Sequence, residues 1–358
     1  MRVGLVIYGS LETLSGGYLY DRTLVTYLQQ AGDQVSLISL PWQSYPAHLG
    51  HNLSPALARK LRNLPVDVLL QDELNHPSLF LLNYRLRRWV DYPLVTIVHH
   101  LRSSEQHPSA LRPLYRLVER SFLRSVQGFV FNSRTTQAEV ARLSGLAAEG
   151  VVAYPGGDQF GAGLDEAAIL ARAGQPGPLR LLFVGNLIER KGLHTLLAAL
   201  ARLPRAEWTL DVVGQADVDR GYAERMVAYV RQQGLVEQVN FWGRLPQTGL
   251  CQLWSTSQVL AVPSQYEGFG IVYLEGLGFG LPVIASTAGA AGEIISDGRE
   301  GFLIAPEDVQ ALAARVAVLI ADRACLADMG LAARRRFAAF PTWRASAARI
   351  RAHLLTLV

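Results

Sequence analysis

Short apolar segments that alternate with segments of helical periodicity are the feature that most constrains the fold of this chain. The apolar segments are Arg2–Tyr8, Gln34–Leu40, Asp67–Gln71, Leu94–His99, Gly128–Asn132, Val151–Tyr154, Leu179–Gly185, Trp208–Val213, Val239–Trp242, Val259–Val262, Pro282–Ala285 and Gly301–Ile304. Helical periodicity lies between several of them, for example in Gly17–Gln30, Leu111–Arg124 and Thr135–Leu143. Near-continuous apolar strands joined by crossover helices are typical of parallel sheets covered on both faces. The sequence therefore predicts an α/β protein.

The length of 358 residues predicts two domains, because a single hydrophobic core rarely grows beyond about 250–300 residues. The stretch Gly156–Pro178, rich in Gly and Ala and containing GQPGP, has the composition of a linker. We therefore predict a first domain over residues 1–160, a linker or hinge over 161–178, a second domain over 179–340 and a final helix over 341–358. Because open α/β sheets bind ligands at the carboxyl ends of their strands, two facing sheets would surround one pair of substrates.

Composition excludes several classes of protein. Hydrophobic residues make up 50% of the chain and charged residues 18%, which is typical of a globular protein. The formal net charge of +4 is too small to predict a nucleic-acid partner. The two cysteines, Cys251 and Cys325, cannot form a metal site by themselves. No apolar run approaches the ~18 residues of a membrane span and the N-terminal run is too short for a signal peptide, so we expect a cytoplasmic protein.

Residues 263–275, with the sequence PSQYEGFGIVYLE, follow one predicted strand and open a helix. The glycines allow close approach of a ligand, and the N–H groups near Gly270 and Ile271 lack partners within the helix, which suits a diphosphate. Glu267 lies in the loop and Glu275 just over one turn into the helix, so both carboxylates can face one ligand at different depths. An ordinary helix start with solvated acids is the alternative for this segment taken alone.

A second loop, residues 183–192 with the sequence FVGNLIERKG, follows the first strand predicted for the second domain. Lys191, one of only two lysines in the chain, lies at the start of the next helix. A lysine there could neutralise a diphosphate leaving group. The alternative is a solvated lysine beside a capping glycine.

In order and spacing, these motifs resemble those of retaining glycosyltransferase family 4, a group with the GT-B fold. The matching positions of the second half are Gly185, Lys191, Gly192, Gly214, Gly243, Pro263, Ser264, residues 267–275, residues 280–286 and Glu293. Those elsewhere are Gly16, Gly17, His99, Asn132, Ser133, residues 154–158 and Trp343. The resemblance implies two Rossmann-like doubly wound domains facing across a cleft. It also implies an acceptor-side first domain, a nucleotide-sugar-binding second domain and a final helix that crosses back to the first.

For the second domain the resemblance implies a role for each motif residue. Glu267 and Glu275 match the family's pair of glutamates eight residues apart: the first would support the donor sugar and the developing charge, and the second would bind the ribose. Lys191 matches the family's diphosphate-binding lysine. The family often has an arginine where this chain has Asn186. Arg190 is expected to supply the missing charge, unless the phosphates rely on Lys191 and backbone N–H groups.

In the first half, His99 matches a histidine that lines the family's catalytic cleft. It would bind a donor hydroxyl or handle the acceptor proton. A structural role at the end of a strand, and the adjacent His100 as the matching residue, are the alternatives. Gly16 and Gly17 would let the backbone approach the donor and acceptor, or form only a tight turn.

The base of the nucleotide would be contacted near Gly243 and Arg244, mainly through the backbone. Asp217 and Asp219 could be mistaken for a metal-binding Asp-x-Asp motif, but we interpret them as the start of a helix. The resemblance agrees, since the family needs no metal held by such a motif. We therefore expect no metal and no cofactor beyond the nucleotide sugar itself.

The helix predicted over Leu111–Arg124 has an arginine at every fourth position. Its arginines are Arg112, Arg116, Arg120 and Arg124, and Arg85, Arg87 and Arg88 add charge nearby. A basic amphipathic helix can rest on anionic lipid, although a core-facing helix with a solvated arginine edge is the simpler interpretation. We also expect the loops Ser44–Asn52 and Leu101–Pro108 to shape the acceptor pocket.

These observations predict transfer of a sugar, with retention, from a nucleotide-diphosphate sugar to a hydroxyl of a glycan, lipid or small molecule. Two other functions are compatible with the fold. A sugar-nucleotide epimerase would act on the nucleotide sugar without an acceptor. A non-catalytic paralogue would bind the nucleotide sugar and release no nucleotide, although the presence of both glutamates and of Lys191 argues against it.

Overall fold

The computed structural model describes residues 1–13, 15–104 and 111–358. It separates into two compact units, Met1–Pro155 with Pro341–Val358, and Gly156–Phe340. Of the predicted acceptor loop Leu101–Pro108, residues 105–108 lie outside the described ranges. Across these ranges, no helix combines the length and the apolar composition that crossing a bilayer requires.

The first unit contains a six-stranded sheet in the order β2-β1-β3-β4-β5-β6, and every neighbouring pair is parallel. Its elements before residue 155 are β1 (Arg2–Tyr8), α1 (Gly16–Gln30), β2 (Gln34–Leu40), α2 (Tyr45–Gly50), α3 (Pro55–Arg62), β3 (Val68–Asp72), α4 (His76–Leu79), α5 (Leu82–Leu86), β4 (Leu94–Val98), α6 (Arg112–Leu123), β5 (Gly128–Phe131), α7 (Arg134–Ser144) and β6 (Gly150–Val152). Strands β3, β4 and β5 are buried along their whole length, as expected for a sheet covered on both faces. Phe131 at the end of β5 and Phe122 on α6 both lie in the core.

The second unit contains another six-stranded parallel sheet, in the order β12-β11-β10-β7-β8-β9. Its elements are α8 (Glu166–Ala173), β7 (Leu179–Val184), α9 (Leu193–Leu200), β8 (Trp208–Val213), α10 (Arg220–Gln232), β9 (Val239–Gly243), α11 (Gln247–Thr256), β10 (Val259–Val262), α12 (Ile271–Gly278), β11 (Val283–Ser286), α13 (Ala291–Ile294), β12 (Gly301–Ile304), α14 (Val309–Ala321) and α15 (Arg323–Ala338). Trp208 and Trp254 are fully buried in its core. The two doubly wound parallel sheets confirm the predicted α/β fold class.

Residues 161–178 do not form the predicted linker. They contain α8, which begins where the side chain of Asp165 accepts a hydrogen bond from the N–H of Ala168 at 2.8 Å. Arg172 in this helix donates to the carbonyl oxygens of Phe279 and Gly280, each at 2.8 Å. The segment therefore belongs to the second unit, because a helix cap and a buried face outweigh its glycine content.

The last helix, α16 (Trp343–Leu355), belongs to the first unit. The ring of Trp343 lies 5.9 Å from that of Tyr20 on α1, edge to face. Arg351 donates to the buried carboxylate of Asp33 at 2.6 Å, and the N-terminal amine donates to the same carboxylate at 2.9 Å. These contacts hold the end of the chain against the start of the first unit.

Candidate functional site

The two loops singled out in the second half of the sequence follow neighbouring strands. Lys191 comes after β7 and Glu267 after β10, and these strands pair directly with one another. The chain winds outward from β7 in one direction through β8 and β9 and then returns to the other side at β10. Crevices at such a reversal are where open α/β sheets bind ligands, because the flanking loops leave the sheet in opposite directions.

The side chains of Lys191 and Glu267 meet at this point. The ammonium of Lys191 donates to Oε1 of Glu267, which also accepts from the hydroxyl of Ser264 at 2.8 Å. Nη1 of Arg190 lies 3.7 Å from Oε2 of the same carboxylate and donates to the carbonyl oxygen of Tyr266 at 2.7 Å. The carboxylate of Glu267 thus pairs with two cationic side chains of the other loop.

Burial and charge act in opposite directions on this cluster. Burial by itself raises the pKa of Glu267, but the charges of Lys191 and Arg190 outweigh it and lower the pKa to about 2. Burial lowers the pKa of Lys191, although Glu267 opposes the shift. Glu267 is therefore a carboxylate at every physiological pH and is a weak base.

Glycine backbone geometry brings the two loops this close. Gly192 has a φ of +73°, and a Cβ at that position would lie 2.1 Å from the carbonyl oxygen of Pro263. The N–H of Gln265 donates to the carbonyl oxygen of Arg190 at 2.8 Å, which fixes one loop to the other. The approach of Gly192 to Pro263 leaves no room for a side chain at residue 192.

The start of α12 offers backbone N–H groups to a ligand. Gly270 precedes Ile271 with a φ of +94° and offers no side-chain cap to the first turn. In the first turn of α12, the hydroxyl of Tyr273 donates to the carbonyl oxygen of Val262 at 3.0 Å, which fixes the helix to the end of β10. Unpartnered N–H groups at a helix start favour an anion.

Glu275 lies on α12 and is buried, with 6% of its surface exposed. Its Oε1 accepts a hydrogen bond from the side-chain amide of Gln159, a residue that the sequence analysis did not single out. Burial raises the pKa of Glu275 to about 7, although the bond from Gln159 opposes the shift. This acid, unlike Glu267, changes its charge near neutral pH.

Gly243 and Arg244 lie at the end of β9, where Gly243 has a φ of +64° and both residues are exposed. Gly243 lines a largely apolar cavity of about 370 Å³ together with Gly214, Leu187, Phe241 and residues of α10. The nearby Asp219 accepts a hydrogen bond from the N–H of Tyr222 at 2.9 Å and starts α10. The interpretation of Asp219 as a helix cap is therefore confirmed.

In the first unit, His99 follows β4 directly and its ring faces α1. Its Nε2 lies 3.1 Å from Oδ1 of Asp21, and a Cβ on Gly17 would lie 3.1 Å from its Cδ2. Gly16 is the first residue of α1, and the hydroxyl of Ser15 caps the helix. The predicted residues Gly16, Gly17 and His99 therefore lie together at the carboxyl edge of the first sheet.

The family follows from matches that cover most of both units. Residues 20–158 match the family described as Glycosyltransferase Family 4, and residues 170–336 match Glycosyl transferases group 1. The chain belongs to glycosyltransferase family 4. Like other members, this glycosyltransferase is an enzyme that transfers glycosyl groups.

Among relatives of this glycosyltransferase is the glycogen synthase of Mycobacterium tuberculosis. It is 29% identical over 306 residues, which cover 83% of this chain and 71% of the relative. Among solved structures, sucrose-phosphate synthase of Thermosynechococcus elongatus superposes with a TM-score of 0.84 at 22% identity, covering 99% of this chain and 98% of the other. Anabaena HepE in complex with UDP and glucose superposes with a TM-score of 0.78 at 22% identity over the whole of both chains. These likenesses confirm the GT-B fold.

Two groups of acidic and histidine side chains in this family 4 glycosyltransferase have the composition of a metal site. They are Asp21, Asp72 and His99, and Glu73, His76 and Glu119, with one donor atom from each residue of a group within 4.8 Å of the others. Both groups lie in the first unit. In the first group Nε2 of His99 lies 3.1 Å from Oδ1 of Asp21, whereas Oδ2 of Asp21 and Oδ2 of Asp72 are buried without a partner among the described residues.

Proposed function

We propose that this glycosyltransferase moves a sugar from a nucleoside diphosphate sugar to a hydroxyl group, with retention at the anomeric carbon. The observation that carries the proposal is the contact between Lys191 and Glu267 where the winding of the second sheet reverses. The structure of Anabaena HepE with UDP and glucose supports the donor class, because that protein has the same fold.

The second unit would hold the diphosphate of the donor. Lys191 and Arg190 supply positive charge, and the backbone at Gly270 and Ile271 supplies N–H donors. Preorganised charge of this kind stabilises the negative charge that develops on the leaving diphosphate. The contact with Glu267 would hold Lys191 in place before the donor arrives, so little reorganisation is needed on binding.

Glu275 would bind the ribose, with the base near Gly243 and Arg244. A ribose hydroxyl donating to Glu275 would favour its ionised form, in which both carboxylate oxygens accept hydrogen bonds. A ribose hydroxyl would replace the side-chain amide of Gln159 as a hydrogen-bond donor to this carboxylate. Donor binding would therefore be coupled to the position of Gln159. His99, Gly16 and Gly17 would act at the donor and the acceptor, and we propose that the reaction needs neither a metal nor a cofactor.

Retention would not require Glu267 as a nucleophile. Its carboxylate is ion-paired with Lys191, and its low pKa makes it weakly nucleophilic. The bond from the anomeric carbon to the acceptor oxygen would form on the face from which the bond to the diphosphate breaks. The acceptor proton would pass to the departing diphosphate, whose charge Lys191 partly neutralises.

A thermal-shift screen with UDP, GDP, ADP and their sugars would identify the donor, since a ligand that binds only the folded state raises its melting temperature. NMR of the products with that donor and a panel of acceptors then tests the reaction. A glycoside with the anomeric configuration of the donor supports the proposal. Conversion of the nucleotide sugar without an acceptor would favour an epimerase, and binding without nucleotide release would favour a non-catalytic protein.

The first unit also carries a face suited to an anionic membrane, and we propose that it docks there. This basic face comprises residues 55–62, 82–89 and 111–124, which hold ten basic residues and one acid, Glu119, which is buried. Its parts are adjacent, since the guanidinium of Arg62 lies 5.8 Å from the centroid of the Trp89 ring and the hydroxyl of Tyr84 donates to the carbonyl oxygen of Ser121 at 3.3 Å. Large apolar side chains are exposed on it, including Trp89 at 44% and Leu117 at 67%.

Charge and apolar surface together favour lipid over an acidic protein or nucleic acid. Arg116, Arg120 and Arg124 are exposed and form no ion pair with the acids that the structure describes. Leu114 and Leu117 extend into solvent on the same helix, where insertion between lipid chains would bury them. Each arginine near an anionic surface contributes about 1 kcal/mol of binding.

Sedimentation with phosphatidylcholine vesicles, with and without phosphatidylglycerol, tests the docking. We expect binding only with the anionic lipid and its loss in the R116E/R120E/R124E variant. The matched control is R220E/R299E/R335E, which makes the same charge change at exposed arginines of the second unit. Equal loss in both variants, or binding to RNA in preference to the vesicles, would contradict a lipid-specific face.

A further inference from the structure

Two buried acids, one from a helix and one from a strand, converge behind the ring of His99. Asp21 comes from α1, Asp72 ends β3, and Glu73 follows it. Asp21 and Asp72 are 0% and 1% exposed, so neither carboxyl group reaches water. The ring of Tyr20 packs against His99 edge to face, with centroids 5.2 Å apart. His99 is therefore enclosed on this side by acids and one aromatic ring.

The hydrogen-bonding pattern of this cluster is incomplete unless it holds two protons. Oδ1 of Asp21 faces Nε2 of His99 at 3.1 Å. Oδ2 of Asp21 and Oδ2 of Asp72 are buried and have no partner among the described residues. A proton on Nε2 satisfies the first oxygen, and one proton shared between the two carboxyl groups satisfies the others. Buried polar oxygens without such partners would lose the hydrogen bonds that water makes to them in the unfolded chain.

We propose that Asp21 is a positioning residue that holds the imidazole of His99 in its cationic form, with Nδ1–H turned away from the carboxylates as a hydrogen-bond donor to a substrate. The inference rests on the proposed function for the identity of that substrate. It assigns His99 the role of a donor and excludes it as the base that removes the acceptor proton, because a ring protonated on both nitrogens has no lone pair to offer.

The charges around the ring support this assignment. Burial alone would lower the pKa of His99, but Asp21, and to a smaller extent Asp72 and Glu73, outweigh it and raise the pKa to about 9. Burial and the neighbouring charge of Asp21 raise the pKa of Asp72 to about 7. With Asp72 protonated, the imidazolium and one carboxylate form a pair without net charge, which can be buried at lower cost than either ion alone.

The close approach of Gly17 fits the same arrangement. A Cβ at Gly17 would lie 3.1 Å from Cδ2 of His99, so a larger residue would press against the ring. The carbonyl oxygen of His99 accepts from the side-chain amide of Asn132 at 2.7 Å, which fixes the backbone on the other side. Backbone and ring are thus both constrained before any substrate binds.

NMR titration of the histidine rings in the substrate-free, metal-free full chain tests the inference. The chain has eight histidines, and the H99Q variant identifies the signals of His99. In the wild type we expect His99 to be protonated on both nitrogens at pH 7, with a midpoint near 9. In Asp21→Asn we expect that midpoint to fall by at least two pH units, and in Asp72→Asn by less.

A wild-type midpoint at or below 6.5 would overturn the inference even if neither aspartate variant folds. So would an unchanged midpoint in Asp21→Asn, or a shift of the His99 signals on adding stoichiometric Zn²⁺ or Mn²⁺, which would indicate a metal site. The second readout is the pH profile of kcat, where Asp21→Asn should lose activity above pH 7 and approach wild type near pH 6. If no donor and acceptor give turnover while the titration behaves as expected, the proposed function fails and the inference about Asp21 stands.

Discussion

Oε1 of Glu267 accepts hydrogen bonds from both Lys191 and Ser264, and these three side chains come from the loops after two paired strands. The carboxylate therefore fixes the position of the ammonium through a direct contact. An incoming diphosphate would find a cation already in place, with Arg190 beside it. This relationship is the centre of the proposed donor site.

Replacing Lys191 by methionine should reduce turnover at least about 100-fold, because the leaving diphosphate would lose its nearest charge. Lys60, the other lysine, is exposed on α3, and Lys60→Met serves as the matched control. Steady-state kinetics in the absence of lipid compare the two. Similar turnover in both variants would remove Lys191 from the mechanism.

Replacing Glu275 by glutamine should weaken donor binding while making the chain more stable above neutral pH. The folded pKa of about 7 exceeds the ordinary value of 4.5, so the folded state binds this proton more tightly than the unfolded state. Stability is therefore lost as the pH rises from 4.5 to 7, and glutamine removes that loss. We expect a gain of about 1–3 kcal/mol at pH 8 and none at pH 4.

Denaturant unfolding at the two pH values, with calorimetric titration of the donor, measures both effects of Glu275→Gln. Glu237→Gln, at an exposed position of the second unit, is the control and should change neither quantity. A variant that is less stable at pH 8 and binds donor normally would show that Glu275 serves the fold rather than the ligand.

Replacing Gly192 by alanine should destabilise the second unit by about 3 kcal/mol or more, because the new Cβ would meet a backbone carbonyl. Gly298 provides the control: its φ of +78° is similar to the +73° of Gly192, but nothing lies within 4 Å of its Cβ position. Gly298→Ala should cost only the ~1–2 kcal/mol of left-handed backbone. If chemical denaturation gave equal losses of unfolding free energy for the two variants, the close contact of the two loops would relax at no cost.

The central strands, such as β3, β4 and β10, could be predicted from the sequence because both of their faces are buried and their residues are nearly all apolar. All twelve predicted segments form strands, with ends shifted by no more than two residues, as for Asp67–Gln71 against the observed Val68–Asp72. Short helices between β2 and β4 were not predicted, since α4 and α5 are too short for periodicity to register. Residues 161–178 were wrongly predicted as a linker because their glycines hid the cap at Asp165.

The residues of the candidate site that lie in a sequence motif could be predicted, and those that only the packing of the fold brings together could not. Lys191, Glu267 and Gly270 occupy loops whose spacing marks them. Gln159 was missed because it lies just before the supposed linker. Asp21 offered one signal: it falls on the same face of α1 as the buried Leu24 and Leu28, where an acid is unusual. Its partner His99 comes from a strand far along the chain, and one-dimensional periodicity does not report such a contact.

The most direct measurement is a calorimetric comparison of two ligands on two proteins: the nucleoside diphosphate found in the screen and its parent nucleoside, each titrated into wild type and Lys191→Met. We expect the variant to bind the diphosphate at least about 30-fold more weakly, a change of about 2 kcal/mol, and to bind the nucleoside as the wild type does. Equal affinity of both proteins for the diphosphate, or an equal loss for both ligands, would contradict a phosphate site at Lys191.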